Sequence, residues 1–302
     1  MRRERQPARA NALARLIHPL GNQHFLEHVW AKSSRVVRGK LRRMSEISDL
    51  PELRSVDELL THVERAGDKV SVRAWFPDTQ GRHESISLTA AAAKRLYRAG
   101  NATIVVDNVD RVSPEIRQML DELQQATGTP GIASCNVYAS PPGVRTVMHF
   151  DPQDSFFLQV LGKKRWRYAE NTQLPFPAKA SNYYENVPSE REIARTFPKR
   201  MPQGAKEVVL SPGSVLYLTR GIWHEATAVS HSLSLTLTFA SKTWCEVIME
   251  ELEERLSGQV AWRKPAVGVL GDGDAQKRAG VVLEDMLAKL RDEVLEMGGF
   301  PS

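Results

Sequence analysis

From residue 131 to residue 240, apolar and polar residues alternate in short segments that Pro and Gly interrupt. A period of two is typical of strands with one buried face, and turn residues at this spacing indicate a β-sandwich or a jelly roll. Eight segments fit the pattern: IASCNVYA, TVMHFD, SFFLQVL, KRWRYAE, KEVVL, SVLYLT, HEATAV and HSLSLTLTFA. The sequence therefore predicts a mainly β protein whose core is a double-stranded β-helix, or jelly roll.

Helical and strand periods are mixed in the first hundred residues. An amphipathic helix is predicted from Asn22 to Lys32, and Ser55 and Thr89 are placed to cap two further helices. Between those caps KVSVRAWF alternates as a strand would, and ATIVVDN is a β-branched run suited to a buried strand. We therefore expect residues 1–100 to be an α/β support for residues 101–240, which contain the β-helix.

Helical spacing returns after residue 240 and defines a third region, residues 241–302. Its last predicted helix places Leu283, Leu287, Leu290 and Val294 on one side. An apolar stripe of this kind packs on the body of a protein or on a second subunit. We expect a homodimer in which the C-terminal helices of two copies cover each other.

One interruption of the β pattern, from Leu174 to Gln203, is rich in Pro, Asn and Tyr. It is too long for a hairpin turn, and long segments inside compact domains are commonly functional. We expect this insert to lie over the mouth of the β-helix.

Composition indicates the class and the location of the protein. Its 302 residues are 41% hydrophobic and 25% charged, as in soluble globular proteins, and no apolar stretch suits a membrane span or a secretory signal. Cys135 and Cys245 are not clustered, which argues against a disulfide framework or a structural zinc site and fits a reducing compartment. We expect a cytoplasmic protein without a membrane partner.

Charge is distributed unevenly along the chain. Residues 1–43 carry eleven Lys or Arg and two Glu, a balance of +9, so the other 259 residues sum to −4 within the total of +5. A basic N-terminal arm can contact nucleic acid or an acidic partner, and it can equally be a solvated start of the chain. Because no basic, aromatic stripe continues through the body, we do not expect nucleic-acid binding as the main function.

Candidate metal ligands lie in two segments of the β region. His149 and Asp151 are two apart in TVMHFD, and a strand sends side chains at this spacing to the same face. His224 begins HEATAV, seventy-five residues later. Two imidazoles and one carboxylate form the facial triad that binds iron(II) and leaves coordination positions open. Taken alone, the His-x-Asp pair and the later histidine are weak signals that better fit surface or hydrogen-bonded residues, but the surrounding β pattern favours a shared metal site.

The segment KKRWRYA places a lysine among aromatic residues. Alternation puts Lys164, Trp166 and Tyr168 on one face. If this face points inward, the ammonium group needs an anion, because an unpaired buried charge is costly. A dicarboxylate cosubstrate would supply that anion. In the alternative, the register shifts at Gly162 and Lys164 extends to solvent.

Two other strands carry polar residues at alternate positions. Asn136 and Tyr138 either project together into the barrel or form a polar pair on the surface. The last strand, HSLSLTLTF, has leucines and a phenylalanine on one face and hydroxyl side chains on the other. Such alternation is normal for a half-exposed strand, so the sequence leaves open which face of it looks inward.

Two stretches carry a resemblance to a known family: NVYASPPGVRTVMHFDPQDSFFLQVLGKKRWRYAEN and LSPGSVLYLTRGIWHEATAVSHSLSLTLTF. They resemble the JmjC and cupin-like oxygenases, especially the bacterial ribosomal-oxygenase branch, over at least residues 130–240. HFLEHVWAKSSRVVRG near the N-terminus resembles the first segment of the same family. By position, the resemblance implies the catalytic iron ligands His149, Asp151 and His224 and the cosubstrate-binding residues Lys164, Asn136 and Tyr138.

The resemblance implies an iron(II)- and 2-oxoglutarate-dependent dioxygenase that uses O2 to hydroxylate a side chain of a protein or peptide. Residues 101–240 would be its catalytic JmjC domain. Ribosomal oxygenases act on arginine or histidine side chains of ribosomal proteins, and this chain differs from them after residue 240, where about sixty residues replace longer regions. Whether hydroxylation leads on to demethylation stays open.

Two alternatives to a protein hydroxylase remain. The first is an oxygenase that acts on a free amino acid or a natural-product small molecule. The second is a cupin that binds metal without catalysis. The complete ligand set and Lys164 argue against the second, because a noncatalytic protein has no need of them.

Overall fold

The computed structural model describes residues 11–77, 83–270 and 272–296. The chain divides into two compact units, Met1–Ser241 and Lys242–Ser302. The first unit contains the β-helix together with the N-terminal elements, and the second is helical. The division into three regions remains a proposal, because compactness separates only the C-terminal one from the rest.

All eight segments predicted as strands in the β region form strands, β5 to β12. The strands of the described chain are β1 (Arg35–Val37), β2 (Ser71–Pro77), β3 (His83–Leu88), β4 (Thr103–Asp107), β5 (Gly131–Ser140), β6 (Arg145–His149), β7 (Asp154–Leu161), β8 (Lys164–Ala169), β9 (Lys206–Leu210), β10 (Val215–Leu218), β11 (Trp223–Ala228) and β12 (Ser232–Ser241). Its α-helices are α1 (Ala12–Ile17), α2 (Asn22–His28), α3 (Ser45–Ser48), α4 (Val56–Ala66), α5 (Ala90–Arg98), α6 (Pro114–Thr127), α7 (Ser181–Asn186), α8 (Arg191–Ala194), α9 (Trp244–Ser257) and α10 (Gly273–Glu296).

Capping side chains and a glycine set the helix ends as the sequence indicates. The Ser55 hydroxyl accepts a hydrogen bond from the backbone N–H of Glu58 at the start of α4, and Thr89 caps α5 in the same way. Helix α6 begins at Pro114 and ends against Gly128, whose φ of 62° is left-handed. These three helices are therefore encoded locally.

The second helix is shorter than the sequence predicts. Helix α2 ends at His28 instead of continuing to Lys32, and Ala31 has a left-handed φ of 54°. The cause is a tertiary contact, because the backbone N–H of Ala31 donates to the Tyr217 hydroxyl on β10 at 2.8 Å. Such a contact overrides local helix propensity.

Two antiparallel sheets form the β-helix. The larger has the strand order β1-β10-β7-β12-β5-β4-β2-β3, and the smaller has the order β6-β11-β8-β9. Strands β2 and β3, which lie within the first hundred residues, and β4, which begins at Thr103, thus extend the main sheet. The predicted fold class, a mainly β jelly roll with α/β N-terminal support and C-terminal helices, is confirmed.

The two faces of β12 separate the hydrophobic core from the barrel interior. Leu233, Leu235 and Leu237 are fully buried in the core that the N-terminal helices cover. Thr236, on the opposite face, pairs with Phe157, which belongs to a second cluster between the sheets. The hydroxyl face therefore looks inward, which resolves the direction that the sequence left open.

The second unit begins with a capped helix. Thr243 and Glu246 form a capping box at the start of α9. The Gln259 side-chain amide donates to the Glu293 carboxylate at 2.6 Å and so connects the segment after α9 with α10. In the described part of the chain, no helix combines the length and the apolar character needed to cross a bilayer.

Candidate active site

Three side chains that can bind a metal converge where β6 and β11 meet. His149 ends β6 and pairs directly with His224 on β11, and Asp151 follows two residues after β6. The Asp151 Oδ2 atom lies 3.7 Å from Nε2 of His149 and 3.6 Å from Nε2 of His224. The three donor atoms all lie within 4.8 Å of one another. This spacing suits three ligands of one ion.

A bulge in β6 turns His149 toward the interior. The register matches Ala226 with Thr146 and then His224 with His149, so β6 has one more residue than β11 in this stretch. Arg145, on the other side of the bulge, has a side chain that is 62% exposed. In a strand without a bulge, His149 would lie on the same outer face as Arg145, because the two residues are four apart. The extra residue of the bulge reverses the face, so the His149 side chain points inward.

Backbone carbonyls fix which nitrogen of each histidine faces the site. Nδ1 of His149 lies 2.8 Å from the Val147 carbonyl oxygen, and Nδ1 of His224 lies 2.9 Å from that of Ile222. Because a carbonyl only accepts, Nδ1 carries the hydrogen in both rings. The lone pair of each Nε2 is then directed at the space beside Asp151, the arrangement found around metal-binding imidazoles.

The donor set fits iron(II). Two neutral imidazoles and one carboxylate occupy one face of an octahedral ion and leave three positions for other ligands. His224 is buried against the rings of Phe157 and Trp166, at 5.8 Å and 6.0 Å, whereas the Asp151 side chain is 35% exposed. The triad is thus packed against aromatic side chains at His224 and accessible from solvent at Asp151.

Lys164 lies deep in the same barrel. It is 3% exposed, and Nζ lies 5.7 Å from the ring of Tyr138 and 5.8 Å from that of Trp166. Among the described residues, no carboxylate forms a salt bridge with Lys164. Burial lowers the pKa of its ammonium group from 10.5 to about 8. Lys164 therefore does not extend to solvent, and its surroundings suit an anion that the chain itself does not supply.

Tyr138 is a neighbour of Lys164, whose Nζ lies 5.7 Å from its ring, and its hydroxyl is influenced by the charge of Asp151. It pairs with Ser234 on the inward face of β5 and is half-buried. Burial first, and then the negative charge of Asp151, raises the pKa of its hydroxyl. The phenol therefore stays protonated at neutral pH and can donate a hydrogen bond into the barrel.

Asn136 lies beside Tyr138 on the inward face of β5, as a half-buried residue. Its side-chain oxygen accepts a hydrogen bond from the backbone N–H of Asn108 at 2.9 Å, and its side chain also hydrogen-bonds Tyr138. Asn108 has a left-handed φ of 53°. Asn136 thus holds both this turn and Tyr138, so the two residues are not a pair on the outer surface.

Two contributions to the site were not recognised in the sequence. The Trp75 ring on β2 packs edge-on against Tyr138 at 5.7 Å. Phe150 and Trp223, which adjoin the candidate ligands in the sequence, contact each other at 4.7 Å. For Phe150 and Trp223, the sequence did contain a signal, because each of these aromatic residues stands directly beside a candidate metal ligand. No local pattern marked Trp75, because a nonlocal strand pairing brings it to the site.

Comparison with known proteins places these residues in a family. Residues 108–247 match the family described as JmjC domain. The uncharacterized protein YxbC of Bacillus subtilis (strain 168) is 26% identical over 268 residues, which is 85% of this chain and 79% of YxbC. Ribosomal oxygenase 1 of Bos taurus is 30% identical over 243 residues, which is 76% of this chain. The chain spans only 33% of that bovine protein.

A solved structure shares the fold. YcfD, a ribosomal oxygenase from Escherichia coli in complex with cobalt and 2-oxoglutarate, superimposes with a TM-score of 0.58. The alignment covers 89% of this chain and 67% of YcfD, at 17% identity. At this identity the likeness is one of fold. Residues 108–247 thus match the JmjC domain family, and the structure has the fold of YcfD, a double-stranded β-helix.

Proposed function

We propose that the protein is an iron(II)- and 2-oxoglutarate-dependent oxygenase that hydroxylates a side chain of a protein or peptide. The observation that carries the proposal is the pairing of two features in one barrel. A triad of two imidazoles and a carboxylate has an accessible face, and a buried ammonium group lies deeper in the same interior. A dicarboxylate that reaches from the metal to Lys164 would satisfy both.

In this proposal His149, Asp151 and His224 hold the iron. Lys164 neutralises the far carboxylate of 2-oxoglutarate, and Tyr138 donates a hydrogen bond to the same cosubstrate while Asn136 orients Tyr138. When bound, iron and 2-oxoglutarate supply the oxidising chemistry, in which O2, 2-oxoglutarate and a substrate C–H group give a hydroxyl group, succinate and CO2. The protein binds and orients the reactants and excludes water from the inner end of the barrel.

The proposed substrate is a polypeptide side chain. The similarity to proteins named ribosomal oxygenases supports this class, and ribosomal proteins are the first candidates. The net charge of −4 outside residues 1–43 also favours a basic polypeptide. We further propose a cytoplasmic location, which the free thiols of Cys135 and Cys245 support.

Succinate formation tests the proposed function. We expect purified protein with iron(II), ascorbate and 2-oxoglutarate to produce succinate, and a ribosomal-protein fraction to increase the rate and to gain an oxygen atom by mass spectrometry. An increase caused only by free amino acids or other small metabolites would favour a small-molecule oxygenase. No succinate and no 2-oxoglutarate binding would contradict the proposal and favour the noncatalytic cupin.

We also propose a homodimer through the C-terminal helices. Leu283 and Leu287 on α10 are 57% and 53% exposed. Burying such side chains against a second copy is favourable, by about 25 cal/mol for each Å² of apolar surface. We expect light scattering to give twice the monomer mass and a Leu287→Glu variant to give the monomer mass. A monomeric wild-type protein at micromolar concentration would contradict this expectation.

A further inference from the structure

An aromatic cluster lies behind the metal ligands, on the side of their strands that faces away from the barrel. Phe150 comes between His149 and Asp151 in the sequence, and Trp223 comes directly before His224. Because successive residues of extended backbone point to opposite sides, inward ligands leave these two rings on the outer side. Phe150 is 0% exposed and Trp223 is 1% exposed, so another part of the chain covers them.

The insert, residues 174–203, provides this cover. Phe197 stands edge-on to both rings, at 5.3 Å from Phe150 and 5.3 Å from Trp223. Tyr184 lies 6.2 Å from Phe150 and 6.0 Å from Phe197. Each edge-to-face pair contributes about 0.5 to 1.5 kcal/mol beyond the burial of its surface. We call Phe150, Tyr184, Phe197 and Trp223 the aromatic brace.

The backbone around Asp151 also depends on the insert. Asp151 lies outside β6, so the ladder of the sheet does not hold it. The backbone N–H of Ser181, the first residue of α7, donates to the Phe150 carbonyl at 3.1 Å, and that of Gly221 donates to the Asp151 carbonyl at 2.9 Å. These two bonds flank the residue that bears the carboxylate ligand.

Pro177 of the insert closes over Gly221. A Cβ atom on Gly221 would lie 2.5 Å from Cδ of Pro177, closer than real Cβ contacts, and the φ of Gly221 is +86°. Only glycine fits this position without displacing the insert. The insert thus contacts the Asp151 region through Ser181 directly and through Gly221 indirectly.

We propose that the insert is the positioning element of the metal site, with Ser181 and Phe197 as positioning residues for Asp151. This inference rests on the proposed metal-binding function. The two histidines are fixed by strand pairing and by their Nδ1 hydrogen bonds, whereas Asp151 has neither. Loosening the insert should therefore weaken metal binding through the carboxylate, without loss of the barrel. Changes to groups that orient metal ligands typically cost about 10- to 100-fold in metal affinity.

A matched pair of substitutions at Ser181 isolates the backbone bond. Ser181→Pro removes the backbone N–H that donates to the Phe150 carbonyl oxygen. Proline is well tolerated at the first position of a helix, and the preceding residue, Ala180, already has the extended conformation that a following proline requires, with φ of −68° and ψ of 158°. Ser181→Ala keeps the N–H and removes the hydroxyl. We expect cobalt(II) titrations, followed by visible absorption, to give about tenfold weaker binding for Ser181→Pro and wild-type binding for Ser181→Ala.

A second pair tests the aromatic brace and covers the case in which Ser181→Pro does not fold. Phe197→Ala should weaken cobalt(II) binding about tenfold, and Phe197→Leu should restore most of it. Phe76→Ala removes a half-buried phenyl group from the main core and should lower the melting temperature while leaving cobalt affinity unchanged.

Wild-type cobalt affinity in folded Phe197→Ala, and in Ser181→Pro where it folds, would overturn this inference and leave the proposed function intact. A wild-type protein that binds no cobalt at all would overturn the proposed metal site itself.

Discussion

Replacing His149 with alanine is expected to abolish metal binding and, with it, the conversion of 2-oxoglutarate to succinate. The two imidazoles and the carboxylate are the three protein donors of the proposed site, and their donor atoms lie within 4.8 Å of one another. Removing a donor outright should cost more than the 10- to 100-fold that changes beyond the ligands cost. We expect succinate formation to fall by more than about a hundredfold. Asp151→Ala should behave in the same way.

The matched control for this prediction is His28→Ala. The His28 side chain is 63% exposed, so its loss should change neither cobalt(II) affinity nor succinate formation. Circular dichroism should show that all three variants keep the β-rich spectrum, because the core behind the triad does not involve the ligand side chains. Turnover that persists in His149→Ala or Asp151→Ala would remove the proposed triad.

Replacing Lys164 with methionine is expected to weaken 2-oxoglutarate binding and leave metal binding unchanged. Methionine has a similar length and keeps the inner end of the barrel filled, so the change removes the charge without a large cavity. Loss of one partner of a buried charge pair costs at least about 2 kcal/mol, which corresponds to roughly thirtyfold in Kd. Calorimetric titration of the cobalt(II) protein with 2-oxoglutarate measures this.

The neighbouring lysine supplies the control. Lys163 is exposed and points away from the barrel interior, so Lys163→Ala should bind 2-oxoglutarate as the wild type does. Equal affinities in Lys164→Met and the wild type would show that the cosubstrate carboxylate lies elsewhere.

The same titration should depend on pH. Burial lowers the pKa of Lys164 to about 8, so the free protein loses this positive charge as the pH rises through 8. A bound carboxylate favours the charged form, and we therefore expect 2-oxoglutarate affinity to be greatest below pH 8 and to fall about tenfold for each pH unit above it. In the absence of cosubstrate, burial of the charged ammonium group lowers the free energy of unfolding. This destabilisation is fully present below pH 8 and disappears as the pH rises toward 10.5. Lys164→Met should remove the pH dependence.

The β-helix was predictable because its strands state their faces in the sequence. Lys164, Trp166 and Tyr168 alternate with exposed or half-exposed residues, and the structure buries all three. In β12 both faces are buried, the leucine face in the core and the hydroxyl face in the barrel interior, so alternation alone did not distinguish the two. The deciding fact was nonlocal, namely that helices cover the leucine face.

The sequence was sufficient to predict that His149, Asp151 and His224 converge, but it did not predict the bulge and the insert contacts that position them. The bulge in β6 appears only in the pairing of β6 with β11. The insert was expected to lie over the mouth of the β-helix, whereas the contacts described for it are with Phe150 and Trp223 behind the ligand strands. The four aromatic residues are spread from position 150 to position 223 and follow no common period, so their shared cluster cannot be inferred from the sequence.

The bulge also bears on how the chain folds. A slip of one residue between β6 and β11 would exchange the faces of β6, directing Phe150 into the barrel and His149 into the aromatic brace. The slipped form would lack the convergent donors and could not bind a metal ion as the native form does. By mass action, metal available during synthesis or refolding would draw molecules out of the misaligned state and into the native one. Metal binding would then favour the correctly aligned strands before any reaction occurs.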